Sequence, residues 1–149
     1  MFGAAQGVVN EKSTPTPEGI SGQQLLDAEK SIKNAANPAT IVRLGGLVGG
    51  DRHPAKQLAG KINIPAPQAP TNLVHRKDVV RFLMAIIEEG HWGKTLHCVS
   101  PNHQSRIDFY TEASKRLNLP LPSFAKTASK RNKKVMDSRS AALFDFSYR

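Results

Sequence analysis

The scarcities of this sequence narrow its class before any motif is considered. Cys98 is the sole cysteine in 149 residues. No internal disulfide can brace the chain, which fits a reducing compartment, and the expected location is the cytoplasm. Long apolar runs are missing: the longest are of the size of Phe82 to Ile87, against the roughly 18 to 20 residues that a bilayer crossing requires. The opening stretch MFGAAQGVVNEK has neither the basic start nor the apolar centre of a secretory leader. Acidic residues are few, 12 against 21 Lys and Arg, for a formal net charge of +9. A surplus of that size favours anionic partners such as nucleotides, phosphosugars or nucleic acid. The zinc spacing, helix-turn-helix pattern and aromatic interleaving of nucleic-acid modules are all missing, however, so a nucleic-acid partner is not expected.

A glycine fingerprint for a dinucleotide is also lacking. Gly45, Gly46, Gly49 and Gly50 do not fit G-x-G-x-x-G, and about twenty residues on, where an acid would meet the ribose, the chain has Pro65. Metal ligation has no better support. His91, His97 and His103 fall around one strand without companion carboxylates or thiolates at ligand spacing. His97 and Cys98 are strand neighbours whose side chains point to opposite faces, which excludes a nucleophile and base pair from these two. Glu88 and Glu89 are adjacent at a helix end, cannot face each other, and read as solvated.

With 39% hydrophobic and 22% charged residues, the composition is that of a soluble globular chain, and a compact domain of this length buries roughly two thirds of its unfolded surface. Residues 1–17 read as a loop. Leu25, Ala28, Ile32 and Ala35 recur at helical spacing and predict a helix over about 18–36 with that stripe buried. Thr40 to Leu44 predicts a strand ending in the glycine turn GGLVGG, and His53 to Lys61 a short helix with Pro54 in its first turn. INIPAPQAP, with three prolines, predicts a surface excursion. Asn72 to Val74 predicts a strand entering a helix over about 77–89, with Val79, Phe82, Leu83 and Ile86 as its buried stripe and Asp78 as its cap. Thr95 to Ser100 predicts another strand. Ser105 and Asp108 form a capping box that opens a helix to about Leu117, closed by Asn118 and Pro120. After that come a short strand in KKVMD, a short helix in SRSAALF and a frayed end. Alternating helices and strands give an α/β class with parallel pairing, but too few strands for a complete doubly wound sheet.

Four segments in fixed order carry a resemblance: TPEGISGQQLLDAEKSI, TIVRLGGLVGGDRHP, NLVHRKDVVRFLMAIIE and TLHCVSPNHQSRIDFYTEASKRLNLPLPSF. Together they resemble the second half of the extended short-chain dehydrogenases, the NAD-dependent epimerase/dehydratase family. The resemblance implies a partial Rossmann-like fold: residues 1–149 as one C-terminal α/β unit with a small substrate-domain-like part, the N-terminal dinucleotide-binding half absent. In the family the first segment is the active-site helix, where a tyrosine and a lysine four residues on exchange a proton with substrate. Those positions fall here on Ser21 and Leu25, which cannot do so, and no catalytic residue is expected. Glu29, at the position of a glutamate often seen further along this helix, reads as solvated or capping. The second segment faces the nicotinamide in the family, which makes Leu44, Gly45 and Gly46 the candidate cofactor contacts; Arg52, His53 and His75 are the candidate substrate contacts.

The resemblance implies NAD or NADP, and a nucleotide sugar, for a complete family member, while this chain alone is expected to bind no cofactor and to be inactive. Either self-association or the missing half would cover its apolar faces. The rival reading is a non-enzymatic binding module. Residues 126–149 hold Lys126, Lys130, Arg131, Lys133, Lys134, Arg139 and Arg149 against Asp137 and Asp145, a basic, partly flexible tail that would take an anionic partner.

Overall fold

In a computed structural model, which describes residues 2–3, 7–51, 53–126 and 132–148, the elements run in the order β1 (Val8–Val9), α1 (Gly19–Lys33), β2 (Ile41–Leu44), β3 (Gly46–Val48), α2 (Ala55–Leu58), β4 (Leu73–His75), α3 (Arg76–Glu88), β5 (Thr95–Cys98), α4 (Arg106–Arg116), β6 (Lys134–Val135) and α5 (Ser138–Leu143). The strands form three parallel pairs: β1 with β6, β2 with β5, and β3 with β4. In the longest pair Ile41 lies opposite Thr95 and Leu44 opposite Cys98. Parallel neighbours need a long crossover, and the β2 to β5 crossover carries β3, α2, β4 and α3.

The core gathers Val74, Val79, Phe82, Ile86, Leu96, Cys98 and Phe144, with Val42, Leu47, Phe146 and Tyr148 packed against it. Phe82 is fully enclosed, edge-on to Phe144 at 5.1 Å and to Phe146 at 5.3 Å. The end of the chain therefore belongs to the core rather than fraying, because three aromatic side chains at alternate positions have an apolar face to cover. Within the expected basic tail, Lys133 donates to the carbonyls of Phe2 and Gly3, and Arg139 to that of Thr95; residues 127–131 and Arg149 lie outside the described residues.

The edge of β5 that faces away from β2 is closed by side chains rather than by a strand. The His97 N–H donates to Glu11 Oε1 at 3.2 Å, the Ser140 hydroxyl donates to the His97 carbonyl at 2.8 Å, and the Val99 N–H donates to the Tyr148 hydroxyl at 3.3 Å. A strand edge presents backbone groups that must find partners when buried, and these three satisfy them.

Helix ends follow local chemistry. The Ser105 hydroxyl caps α4 through the Asp108 N–H at 3.1 Å, as the capping box predicts. Asn118, at φ 52°, closes the helix with the paired bonds Asn118 N–H to Lys115 O and Leu119 N–H to Ser114 O, the left-handed stop that glycine usually provides. At α3 the cap is His75, whose Nδ1 accepts from the Lys77 N–H at 3.2 Å. Asp78 is not the cap; it is buried inside the first turn and pairs with Arg81 at 3.0 Å.

Several expectations need correcting. The segment GGLVGG contains strand β3, and residues 1–17 contain β1, both too short to announce themselves by alternation. INIPAPQAP is an anchored strap: Ile64, Ala66 and Ala69 are buried, and Ile64 bridges to Phe124. Leu83 points outward, since α3 buries the narrower face of Val79, Phe82 and Ile86. On α1 the expected buried stripe is open to solvent at Leu25 and Ile32, and the enclosed residue is Glu29.

Candidate functional site

A cleft of about 600 Å³ opens between α1 and the parallel strands. Leu25, Ala28, Glu29 and Ile32 of α1 form one wall, residues 41–46 the other, and Phe2, Asn72, His97, Lys133 and Val135 complete the lining. Exposed Leu25, Ile32 and Leu44 make its rim apolar, and β2 pairs with β5 alone among the described residues, which leaves the other edge of Ile41 to Leu44 toward the opening.

One ion pair spans the two walls. Arg43 Nε and Nη2 donate to Glu29 Oε1 and Oε2 at 3.0 and 2.7 Å, with both side chains only 11% exposed. The fork-to-fork geometry fixes α1 against β2 more tightly than a point charge could. Arg43 also lies over the Phe2 ring at 5.5 Å. Glu29 is thus an internal anchor, correcting its reading as a solvated residue. A buried arginine in the apolar strand TIVRL needs a carboxylate within reach, and that requirement was the available signal for Glu29.

His97 is fully buried on the cleft lining, edge-on to Phe2 at 5.5 Å. Its Nδ1 lies 2.8 Å from the Met136 carbonyl. A carbonyl only accepts, so Nδ1 carries the proton and Nε2, which is buried without a partner, is the unprotonated nitrogen. Burial, above all, holds the imidazole pKa below its ordinary value; the Met136 bond and the charges of Glu11 and Asp137 oppose this, and Arg43 adds to it. Asn72 ties the floor together, donating to the Lys133 carbonyl at 3.0 Å and accepting from the Val135 N–H at 2.7 Å. Sequence reasoning missed Asn72 and Lys133, because their partners lie some sixty or more residues away and leave no local pattern.

The candidate cofactor contacts Leu44, Gly45 and Gly46 all line this cleft, as does Leu25, whereas Ser21 is exposed and outside the lining. The backbone amides of the two glycines are already engaged: Gly45 N–H donates to Cys98 O at 2.9 Å and Gly46 N–H to Asn72 O at 2.7 Å. A side chain at Gly45 would come within 3.0 Å of the Asn72 carbonyl oxygen, whereas one at Gly46 would meet at close range only the movable end of Leu73, Cδ2 at 2.8 Å, so internal packing accounts for Gly45 more firmly than for Gly46.

The candidate substrate contacts do not gather there. His53 stacks on Phe109 at 6.0 Å and accepts the Ala55 N–H on Nδ1, its pKa lowered by burial and then by Arg116 and Lys56. His75 caps α3, and its ring fills the space beside Gly49, where an added Cβ would lie 2.6 Å from Nε2. Arg52 lies outside the described residues. Burial pushes the Cys98 thiol up to about 12, so it is no nucleophile at neutral pH. The three histidines considered for a metal have separate partners, His91 on Glu89, His97 on Met136 and His103 on Thr71. No group of three or more His, Cys, Asp or Glu among the described residues could hold a metal ion, and no described helix is long and apolar enough to cross a membrane.

Comparison with known proteins places this geometry. No family model matches the chain. It is 32% identical to protein YeeZ of Escherichia coli strain K12 over 150 aligned positions, which cover 99% of the chain and 54% of YeeZ. A functionally unknown conserved protein from Silicibacter pomeroyi superposes with a TM-score of 0.79 at 24% identity, over 95% of the chain and 56% of its own. The UDP-glucuronic acid 4-epimerase from Bacillus cereus in complex with NAD superposes with a TM-score of 0.73 at 17% identity, over 99% of the chain and 53% of the epimerase. The chain spans about half the length of the relatives it matches. The architecture is thus α/β and Rossmann-like, that of NAD-dependent epimerases, dehydratases and reductases, with a coverage consistent with their C-terminal half.

Proposed function

We propose that these residues are the C-terminal part of an NAD(P)-dependent nucleoside-diphosphate-sugar epimerase/dehydratase-like protein, and that by themselves they bind no dinucleotide and catalyse no reaction. The observation that carries the reading is the open cleft wall: the exposed Leu25 and Ile32 form an apolar face next to the edge of Ile41 to Leu44, which has no strand partner among the described residues, beside a Rossmann-like strand pair. Such a face is stable when a further strand and helix cover it, and a dinucleotide-binding half has both. Covering it would also enclose His97 and the Glu29–Arg43 pair from the other side.

The residues present do not fit a dinucleotide. Diphosphate recognition uses free backbone N–H groups at a helix N-terminus, whereas the amides of Gly45 and Gly46 are tied to Cys98 and Asn72. What the Leu44–Gly46 wall can offer is a closely approached, flat backbone surface for a ring held by the other half. The nucleotide sugar comes into the proposal through the Bacillus cereus 4-epimerase, and the cytoplasm through the single, buried Cys98. The internal duties of Lys133 and Arg139 weigh against a basic surface built for an anionic partner.

Titration calorimetry tests the proposal with NAD and NADP. The isolated 149-residue chain should bind neither, and adding the portion of YeeZ that the chain does not match should create a site. Micromolar binding to the isolated chain would overturn the reading.

A further inference from the structure

His97 on β5 stands directly opposite Arg43 on β2, so both side chains leave the parallel pair on the face that carries α1. The other polar side chains lining the cleft have partners. Arg43 and Glu29 hold each other, Asn72 donates to the Lys133 carbonyl and accepts from the Val135 N–H, and the Lys133 ammonium donates to the carbonyls of Phe2 and Gly3 at 2.8 and 3.2 Å. The exception is Nε2 of His97, an acceptor buried without a partner. His103 Nε2 and Ser114 Oγ are also buried and unpartnered, but neither residue lines the cleft. Phe2 packs edge-on against the imidazole at 5.5 Å, and its ring has no N–H or O–H to offer.

A buried acceptor without a donor is costly, and folded proteins keep few of them. We infer that the dinucleotide-binding half that covers the cleft places a neutral N–H or O–H donor against Nε2 of His97, which makes this imidazole a point where the two halves recognise each other. This rests on the covering half proposed above and adds the chemistry of one contact. Three features of the site set the type of donor. Nδ1 gives the ring's proton to the Met136 carbonyl at 2.8 Å, so Nε2 can only accept, and a carbonyl or carboxylate of the covering half has nothing to bond there. Arg43 stands beside the ring with its charge already balanced by Glu29 at 2.7 Å, so a lysine or arginine donor would be buried as an unpaired cation. A water trapped there would find Nε2 and little else, because the neighbouring polar groups are engaged, whereas a buried water usually makes about three hydrogen bonds.

A chimera in which the portion of YeeZ that the chain does not match precedes Phe2 tests the inference, with the 149-residue chain as reference. In imidazole nitrogen NMR spectra of the 149-residue chain, the His97 Nε2 signal, identified by its absence in His97→Asn, should be that of a nitrogen without a hydrogen bond. In the chimera it should move upfield, the direction of an accepted hydrogen bond, while Nδ1 keeps its shift. A crystal structure of the chimera should show a neutral protein N–H or O–H within about 3.2 Å of Nε2. With the two parts mixed as separate chains, His97→Asn keeps a donor for Met136 but puts no atom in the place of Nε2, and should weaken association about tenfold. His97→Gln, whose amide oxygen reaches that place, should weaken it less. A hydrogen-bonded Nε2 already in the 149-residue chain overturns the inference, as does a water or a cofactor atom at Nε2 in the chimera, or equal association by wild type and His97→Asn. Any of these in a chimera that binds NAD leaves the proposed function standing without this contact, whereas a chimera that binds no dinucleotide removes both.

Discussion

Arg43 on β2 grips Glu29 on α1 through two hydrogen bonds of 3.0 and 2.7 Å, and this is the only ion pair that joins the helix and strand walls of the cleft among the described residues. Removing one member of a largely buried ion pair leaves the other charge unpaired, at a cost of about 3–5 kcal/mol. Glu29→Ala and Arg43→Ala should each lower stability to urea by about 3 kcal/mol, the low end, because both groups keep some solvent contact. The double replacement Glu29→Leu with Arg43→Met should cost far less than the sum of the single ones. Additive losses in a double-mutant cycle would mean that the two residues do not act as a unit.

Phe144 gives a second test, aimed at the end of the chain. It is buried against Phe82 and stacks with His91 at 5.3 Å. Phe144→Ala should cost about 3–5 kcal/mol in urea unfolding, as for other large-to-small core changes. A loss below about 0.5 kcal/mol, the level of an ordinary surface position, would return these residues to the status of a frayed tail.

The buried His97 makes stability depend on pH. Its folded-state pKa lies below the unfolded value of 6.5, chiefly because burial disfavours the imidazolium. Between the two values the unfolded chain binds more protons than the folded one, so stability is fully present above the unfolded pKa and falls as pH drops below it. The urea midpoint should therefore decline from neutral pH toward pH 5, and His97→Gln should flatten that decline, leaving the contribution of His53, whose pKa is lowered in the same direction. An unchanged slope in His97→Gln would show that this imidazole does not titrate on unfolding.

Restoring the family's proton-transfer pair at Ser21 and Leu25 should not restore chemistry. Ser21→Tyr with Leu25→Lys supplies the acid and its activating ammonium, but hydride exchange needs a nicotinamide held in place, and the glycine amides that face the cleft are already bonded. No hydride transfer should be detected by absorbance of the reduced cofactor with UDP-glucuronic acid as substrate. Turnover by the double variant without added polypeptide would contradict the proposed division of labour.

The sequence by itself determined the α/β class and the order of the longer elements, though not the short strands β1 and β3. Local periods placed α1, β2, α3, β5 and α4, and the Ser105–Asp108 box with Asn118 marked both ends of α4, because capping is chemistry between residues close in the chain. The four ordered segments carried the resemblance that the superposed structures bear out at the level of fold. Tertiary structure decided what each polar side chain does. That Glu29 meets Arg43, that Asn72 bridges to residues 133 and 135, that His75 rather than Asp78 caps α3, and that Phe144 closes the core all depend on contacts between distant segments. Helical periodicity found the core face of α3 at Val79, Phe82 and Ile86 but wrongly added Leu83 to it, since an amphipathic pattern states which residues want burial and not which neighbour is present to bury them.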